Sequence, residues 1–282
     1  MRIGKYKLNL VEAGTMMLDG GAIFGVVPKY FWKKDFASDE NNRIKLTARC
    51  LLATSENKKI LIDTGIGSGW DENFRKIYQT GDDILQQSLN NLGITADEIT
   101  DVFLTHLHFD HCGGAVVWNN GKLHPAFPNA KYHVQKKQFE WALNPCERDN
   151  ASYYADRFIP VFNSGLLNFT EGGFQFDDEI SVQVVNGHTF AMQMIKFSDS
   201  KNIVLFAADF LATSSHIPLP YIMAYDLQPL ITLLEKKSIL TKAVEEDWKI
   251  IFEHDCKTAV ATLHLNDKGF GIKERFSGLS DD

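Results

Sequence analysis

Within six residues the chain sets three imidazoles around a carboxylate: "THLHFDHCGG", Thr105 to Gly114, carries His106, His108, Asp110 and His111. Imidazole nitrogen and carboxylate oxygen are ligands that zinc and similar divalent ions accept, and a catalytic site of this kind keeps one position open for water. In extended backbone, residues two apart point to the same side. His106 and His108 can therefore reach one ion together, and a turn at Phe109 swings Asp110 and His111 toward a neighbouring point. Gly113 and Gly114 let the backbone bend closely under such a site, where a Cβ would interfere. The competing reading is a His-rich polar loop, and what decides between the two is whether further ligands exist. Three do: His188 in "NGHT" follows "ISVQVV", Asp209 in "FAADF" follows "NIVLF", and His254 in "FEHD" follows "KIIF". Singly, a His or Asp after a strand is an ordinary surface or turn residue. Each of these three ends an apolar run, so all would leave the same edge of the core, and with HxHxDH they point to a metal centre.

The elements that must position these residues can be read from patterning. Arg49 to Ala53 and Lys59 to Ile62 flank the polar turn "TSENK", a β-hairpin whose second strand ends in "LIDTG" and delivers Asp63. From Asp82, "DDILQQSLNNLG" has helical spacing at Ile84, Leu85, Leu89 and Leu92, with Asp82 as N-cap and Gly93 as stop. "DVFLT" is a short buried strand ending at His106. A second helix covers Lys136 to Leu143. Residues 144–173, rich in aromatics, read as an insertion that packs on the body like a lid. "ISVQVV", "MQMIKF" and "NIVLFAA" are three strands. A last helix starts near Pro229, after Asp226, with Leu230, Leu233, Leu234, Leu240 and Val244 at helical spacing. "KIIF" is the closing strand. The pattern is a layered α/β sandwich, with no linker dividing residues 1–282 into separate domains.

Composition narrows the function classes. At 282 residues, 44% hydrophobic and 23% charged, the chain can bury a sizeable core. A formal charge of -7 argues against a general nucleic-acid or anionic-membrane binder. No apolar run reaches membrane-spanning length, and "MRIGKYKLNLVEAG" lacks the apolar core of a secretory signal. Cys50, Cys112, Cys146 and Cys256 form no CxxC pair and read as reduced thiols in a cytoplasmic protein. Cys112 adjoins His111 but is not counted as a ligand. His124, His133, His216 and His264 match no ligand position and read as structural or surface residues, His216 being the one closest to a pocket role.

The ordered set His106, His108, Asp110, His111, His188, Asp209 and His254, with "LIDTG" at 61–65, resembles the metallo-β-lactamase fold superfamily over nearly the whole chain. The resemblance implies an αββα sandwich holding two divalent metal ions, zinc foremost, with manganese, iron and cobalt as alternatives. By position, His106, His108 and His188 would bind one metal. Asp110, His111 and His254 would bind the other, with Asp209 bridging and Asp63 orienting a ligand from behind. The implied reaction is hydrolysis by a hydroxide bridging the metals, with Asp110 passing a proton to the leaving group.

More of the chain resembles a narrower group, the quorum-quenching N-acyl homoserine lactonases. The stretches that carry this are "LDGGAIFGVVPKYFW", "NPCERDNASYY" and "IMAYDLQPLITLLEKKSIL". Organophosphate hydrolases of the methyl-parathion type share much of the pattern and supply the alternative substrate class. One departure stands out: some lactonases have a tyrosine three residues after the bridging Asp, where this chain has Ala212, with Tyr221 or Tyr225 as candidate substitutes. Met17, Phe24, Phe31, Trp32 and Met223, with His216, are candidate pocket residues for an acyl chain, or else ordinary packing. A small-molecule substrate is expected, with no nucleic-acid or membrane partner, the chain acting as a monomer or homodimer. A non-catalytic metal-binding protein on the same scaffold is the reading from another class, and the complete ligand set argues against it. The missing signal sequence argues against a secreted β-lactamase.

Overall fold

"KILI" is short, apolar and bounded by polar residues, and it forms the strand Lys59–Ile62, with Ile60, Leu61 and Ile62 fully buried. It pairs antiparallel with Arg43–Thr54 (Leu51 opposite Ile62) across the expected turn, and parallel with Asp101–Phe103 (Ile62 opposite Phe103). Asp101–Phe103 in turn pairs parallel with Lys131–Gln135. Parallel strands of this kind are apolar on both faces because both faces are covered; Val102, Phe103, Tyr132 and Val134 are all buried.

The computed structural model describes residues 1–279. They gather into two compact units, one of Met1–Met16 with Ala48–Gly172, the other of Met17–Thr47 with the chain from Gly173 onward. One seven-stranded sheet runs, in spatial order, Arg2–Ile3, Tyr6–Asp19, Arg43–Thr54, Lys59–Ile62, Asp101–Phe103, Lys131–Gln135 and Leu167–Thr170. The adjacent parallel strands Lys59–Ile62 and Asp101–Phe103 end side by side, and just beyond those ends stand Asp63 and His106.

The second unit has its own seven-stranded sheet: Phe174–Gln175, Ile180–Val185, Met192–Ser198, Ile203–Phe206, Lys249–Ile251, Val260–Asn266 and Gly269–Phe276. Its register explains why three distant residues share an edge. Ile180–Val185 is antiparallel to Met192–Ser198 (Val185 opposite Met192), which is antiparallel to Ile203–Phe206 (Ile195 opposite Phe206). Ile203–Phe206 is parallel to Lys249–Ile251, with Phe206 opposite Ile251. The ends at Val185, Phe206 and Ile251 therefore lie along one side of the sheet, and His188, Asp209 and His254 follow them. "KIIF" is not the closing strand: Val260–Asn266 and Gly269–Phe276 form a hairpin after it. Its alternation is mixed with Gly and charged residues, which hides it from apolar periodicity.

Helices appear where expected, with two corrections. The segment from Asp82 is helical only over Leu85–Asn91, and Asp82 does not cap it; Asp83 Oδ1 accepts from the Leu85 N–H at 3.3 Å instead. Gly93 ends it at φ +74°, a conformation that favours glycine. The helix Pro229–Glu245 begins at its proline, but its buried residues are Thr232, Lys236, Leu240 and Ala243, while Leu230 and Leu234 are 75% and 61% exposed. Two hydrogen-bonded polar residues, Thr232 and Lys236, take the first half of the buried stripe, and of the leucines read from the sequence Leu240 alone is fully buried. In residues 144–173 the chain forms 3-10 turns at Asn150–Ser152 and Ala155–Arg157, the short helix Ile159–Asn163 and the strand Leu167–Thr170, parallel to Lys131–Gln135. Phe158 and Val161 are buried, and the Arg157 guanidinium lies 3.6 Å over the Trp70 ring and donates to the Ser68 carbonyl at 2.7 Å.

The two glycines after His111 sit where no Cβ fits. A Cβ on Gly113 would lie 2.0 Å from the Ile66 carbonyl oxygen, and one on Gly114 would lie 2.2 Å from that of Thr64. Both obstacles are backbone of the "DTGIG" loop, so a neighbouring side chain cannot yield. Gly113→Ala is expected to destabilise the protein by about 2 kcal/mol or more in urea unfolding. Gly278→Ala, where nothing lies within 4 Å, should leave the midpoint unchanged.

Candidate metal centre

In the first unit the "THLHFDH" segment is held from behind by Asp63. This residue follows a buried strand at φ +56°, a left-handed conformation uncommon for a side chain other than glycine, and its N–H donates to the Phe103 carbonyl at 2.9 Å. Asp63 Oδ1 accepts the Thr105 N–H at 2.7 Å, and Oδ2 accepts the Thr105 hydroxyl at 2.6 Å. Oδ2 also faces His111 Nδ1 at 3.0 Å. A carboxylate behind Nδ1 places the ring proton there and leaves Nε2 as the atom able to accept. The turn expected at Phe109 is a one-turn helix, Phe109–Cys112, entered from His108 in extended backbone. It turns His111 Nε2 toward Asp110 Oδ2, 3.8 Å away.

His106 and His108 meet at one point. Thr105 Oγ1 gives its proton to Asp63 and lies 3.0 Å from His106 Nδ1, which is therefore the donor, leaving Nε2 to accept. That Nε2 is 3.0 Å from His108 Nδ1. Two imidazole ligands on a tetrahedral ion at ~2.05 Å stand about 3.3 Å apart. The pair thus has the spacing of co-ligands, and a proton or a cation must lie between its nitrogens. The Tyr153 ring packs edge-on against His108, centroids 4.7 Å apart.

In the second unit Asp209 follows Ala208, itself at φ +45°. Asp209 Oδ2 is 3.1 Å from His188 Nε2, and Oδ1 is 3.0 Å from His254 Nε2. Behind the rings, His188 Nδ1 meets Asp226 Oδ1 at 2.9 Å and His254 Nδ1 donates to the Thr47 carbonyl at 2.7 Å. Each ring is fixed at one nitrogen and presents the other to a different oxygen of one carboxylate. Burial disfavours a charged His188, but Asp209 and Asp226 on its two sides outweigh this and raise its pKa to about 9. The carboxylates call for a positive charge between them, which a proton or a metal ion supplies. The donor set fits a metal: buried imidazole nitrogens and carboxylate oxygens, with ring orientation fixed by hydrogen bonds from behind.

The description of the Metallo-beta-lactamase superfamily matches residues 45–254. The chain belongs to that superfamily. Among its relatives is the N-acyl homoserine lactonase AiiA of Bacillus thuringiensis subsp. kurstaki, 26% identical over 194 residues, covering 65% of this chain and 66% of the lactonase. The match thus spans just under two thirds of that lactonase's length. A probable metal-dependent hydrolase from Staphylococcus aureus has a solved structure 27% identical, covering 98% of each chain with a TM-score of 0.89. AidC, a dizinc quorum-quenching lactonase solved with a product N-hexanoyl-L-homoserine, shares the fold at 22% identity, with a TM-score of 0.81 over 98% of this chain and 97% of AidC. The mixed α/β fold expected from the sequence is the fold of this family, and His and Asp groups suited to metal ions are part of it.

Other side chains named from the sequence have distinct settings. Phe24, Trp32 and His216 form one buried stack, with Phe24 5.3 Å from Trp32 and 5.0 Å from His216 between ring centroids. Met223 is buried, Tyr221 half-buried and Tyr225 exposed. Ala212 is buried, and its carbonyl accepts the His254 N–H at 3.0 Å. His133 is buried against Asp101 (2.8 Å) and Asn168, His124 is exposed, and His264 lies in the last hairpin. Cys112 donates to the Leu107 carbonyl at 3.4 Å, and burial pushes its thiol pKa far up. Asp226, Thr105 and Lys236 escaped sequence reasoning. Lys236 Nζ donates to the carbonyls of His216 (2.6 Å), Pro218 (2.8 Å) and Tyr221 (2.9 Å), with Leu219 at 3.4 Å, and burial lowers its pKa to about 7. The one available signal was a lysine four residues after Thr232 at helical spacing.

His216 has both nitrogens committed. Nε2–H donates to the Ile23 carbonyl at 2.9 Å, and Nδ1 accepts from the Thr213 hydroxyl at 2.8 Å. Burial first, with Lys236 adding to it, pushes its pKa from 6.5 down to about 4. The unfolded chain therefore binds this proton at higher pH than the folded one does. Stability from this residue is complete above about pH 6.5 and falls as the pH drops toward 4. Between pH 7.5 and 5.0 the loss should be about 2 kcal/mol. His216→Gln, compared with wild type by urea unfolding at both values, should lack that increment.

Proposed function

We propose that this chain is a dinuclear metal-dependent hydrolase that opens the lactone ring of N-acyl homoserine lactones. The observation that carries the dinuclear part is the Asp209 carboxylate, whose two oxygens face Nε2 atoms of two separately anchored histidines, as a bridging ligand requires. In this reading His106, His108 and His188 hold one ion and Asp110, His111 and His254 the other, with Asp209 on both. Zinc is the metal assigned, since imidazole and carboxylate donors suit it, and manganese, iron and cobalt accept the same donors.

When bound, the two ions lower the pKa of water to give a nucleophile at neutral pH and polarise the carbonyl under attack. The protein's own groups do the rest. Asp63 and Asp226 keep His111 and His188 in the tautomer that offers Nε2. Asp110, carried on the helix after His108, would take up the proton released by the attacking water and pass it to the alkoxide leaving group as the ring opens. Phe24, Trp32, His216, Tyr221, Met223 and Tyr225 are assigned to the substrate side, the first three as a rigid support, Tyr221 and Tyr225 as candidate hydroxyl donors to the carbonyl. Residues 144–173 are assigned as an insertion in a single domain, with Tyr153 bracing His108. The lactonase assignment draws on the activity for which the relatives are named and on the stretches "LDGGAIFGVVPKYFW", "NPCERDNASYY" and "IMAYDLQPLITLLEKKSIL". A cytoplasmic setting is assigned from the four cysteines, which stand as thiols, and no helix among the described residues is long and apolar enough to cross a membrane.

Ala212 favours a second reading. It leaves no hydroxyl three residues after Asp209, which suits a phosphotriester or aryl ester substrate of the methyl-parathion-hydrolase type. The test is metal analysis joined to a substrate panel of acyl homoserine lactones, aryl esters, phosphotriesters and a β-lactam. Two transition-metal ions per chain and lactone hydrolysis are expected, kcat/KM rising with acyl length by up to about 0.8 kcal/mol per buried methylene. Asp209→Ala should lose metal, thermal stability and several orders of magnitude of turnover. Phosphotriester cleavage with every lactone untouched would install the second reading, and full activity with one ion would end the dinuclear one.

A further inference from the structure

The histidines flanking Asp209 are supported differently. Behind His254 stands a neutral group, the Thr47 carbonyl at 2.7 Å; behind His188 stands the Asp226 carboxylate at 2.9 Å. Asp226 is 2% exposed, and both its oxygens are used, Oδ2 accepting the Thr232 hydroxyl at 2.7 Å. Backbone bonds lock the two segments together on either side of this contact. The Leu227 N–H donates to the His188 carbonyl at 3.0 Å, and the Gln228 N–H to that of Gly187 at 2.9 Å. Thr232 and the start of its helix lie so close to Gly187 that a Cβ there would come within 2.2 Å of Thr232 Oγ1. The arrangement is a chain, Thr232 to Asp226 to His188, ending at the ring nitrogen that faces Asp209.

We propose that Asp226 is a positioning residue for the metal centre: held by Thr232, it fixes His188 as the Nδ1–H tautomer and makes it a stronger ligand than a carbonyl-backed imidazole. A carboxylate behind a ligand ring raises the basicity of the opposite nitrogen and fixes its direction, and its loss costs metal affinity. Asp63 does the same behind His111. The inference rests on the dinuclear reading, in which His188 and His111 belong to different ions. Each ion then has one carboxylate-backed ring, and disabling Asp226 weakens one ion selectively.

The experiment is a zinc titration of chelator-stripped protein against a chromophoric competitor, with thermal melting of the metal-free forms. Wild type, Asp226→Asn and Thr232→Val are compared; Asn keeps the shape and an acceptor oxygen but not the charge. Wild type should take two ions. Asp226→Asn should bind one of them about 10- to 100-fold more weakly and hold the other as wild type does. Thr232→Val, which leaves the carboxylate in place but loosens it, should weaken the same ion by a smaller factor, and it serves as the test if Asp226→Asn does not fold. Wild-type affinity for both ions in the variants overturns the assignment of Asp226 alone, as does an equal loss at both ions accompanied by a lower metal-free melting temperature. A wild-type protein that takes up no zinc overturns the metal reading itself.

Discussion

The histidine segment of the first unit depends on a single buried carboxylate. Asp63 accepts from the Thr105 N–H and hydroxyl and from His111 Nδ1, so three groups of the histidine segment converge on two oxygens. A buried carboxylate must have its oxygens satisfied, and here the partners that satisfy it are Thr105, next to a proposed ligand, and His111, itself one. The requirement propagates outward. Asp63 must sit at the end of a strand parallel and adjacent to the one that delivers His106, which fixes the order Lys59–Ile62 beside Asp101–Phe103. Thr64 donates in turn: its N–H and hydroxyl both point to the His111 carbonyl, at 2.8 and 2.9 Å. The backbone approach this demands is what excludes a Cβ at Gly113 and Gly114.

The second unit solves the same problem with a helix. Pro229–Glu245 carries Thr232 and Lys236 four residues apart on its buried side, and each has a polar task. Thr232 holds Asp226, and Lys236 gathers the carbonyls of the loop from His216 to Tyr221. At the start of that loop the Ser214 N–H and hydroxyl both donate to Asp255 Oδ2, at 3.0 and 2.6 Å. The stretch between Asp209 and Asp226 is thus tied down by three charged side chains rather than by apolar packing alone. A loop has many backbone carbonyls that no sheet or helix satisfies, and a buried ammonium with three donors is an economical way to satisfy several at once. Two exposed leucines on the same helix are the consequence, because the buried stripe was needed for hydrogen bonding.

Much of this was legible in the sequence, and the reasons are local. A short apolar run followed by a polar residue marks a strand end, so Asp63, His106, His188, Asp209 and His254 could be placed at strand ends before any topology was known. HxHxDH fixes its own chemistry because spacing in extended backbone and one turn sets the directions of the side chains. The hairpin around "SENK", the helix Lys136–Leu143 and the proline start of the last helix were readable for the same reason: turn residues and helix starts act over a few positions.

What the tertiary structure alone decided is everything that depends on pairing across sequence distance. The shared edge of His188, Asp209 and His254 follows from strand register, which links positions about 20 to 65 residues apart. The partner behind each imidazole is also non-local: Asp63 reaches His111 and Asp226 reaches His188 from 48 and 38 positions away. A backbone carbonyl such as that of Thr47 leaves no trace in residue type at all. The burial of Lys236 ran against hydropathy because its cost is offset by carbonyls that only the folded loop brings together. Residue type and short spacing therefore determined which atoms in this chain can bind a metal, and the fold decided which of their nitrogens are held and in which direction the others face.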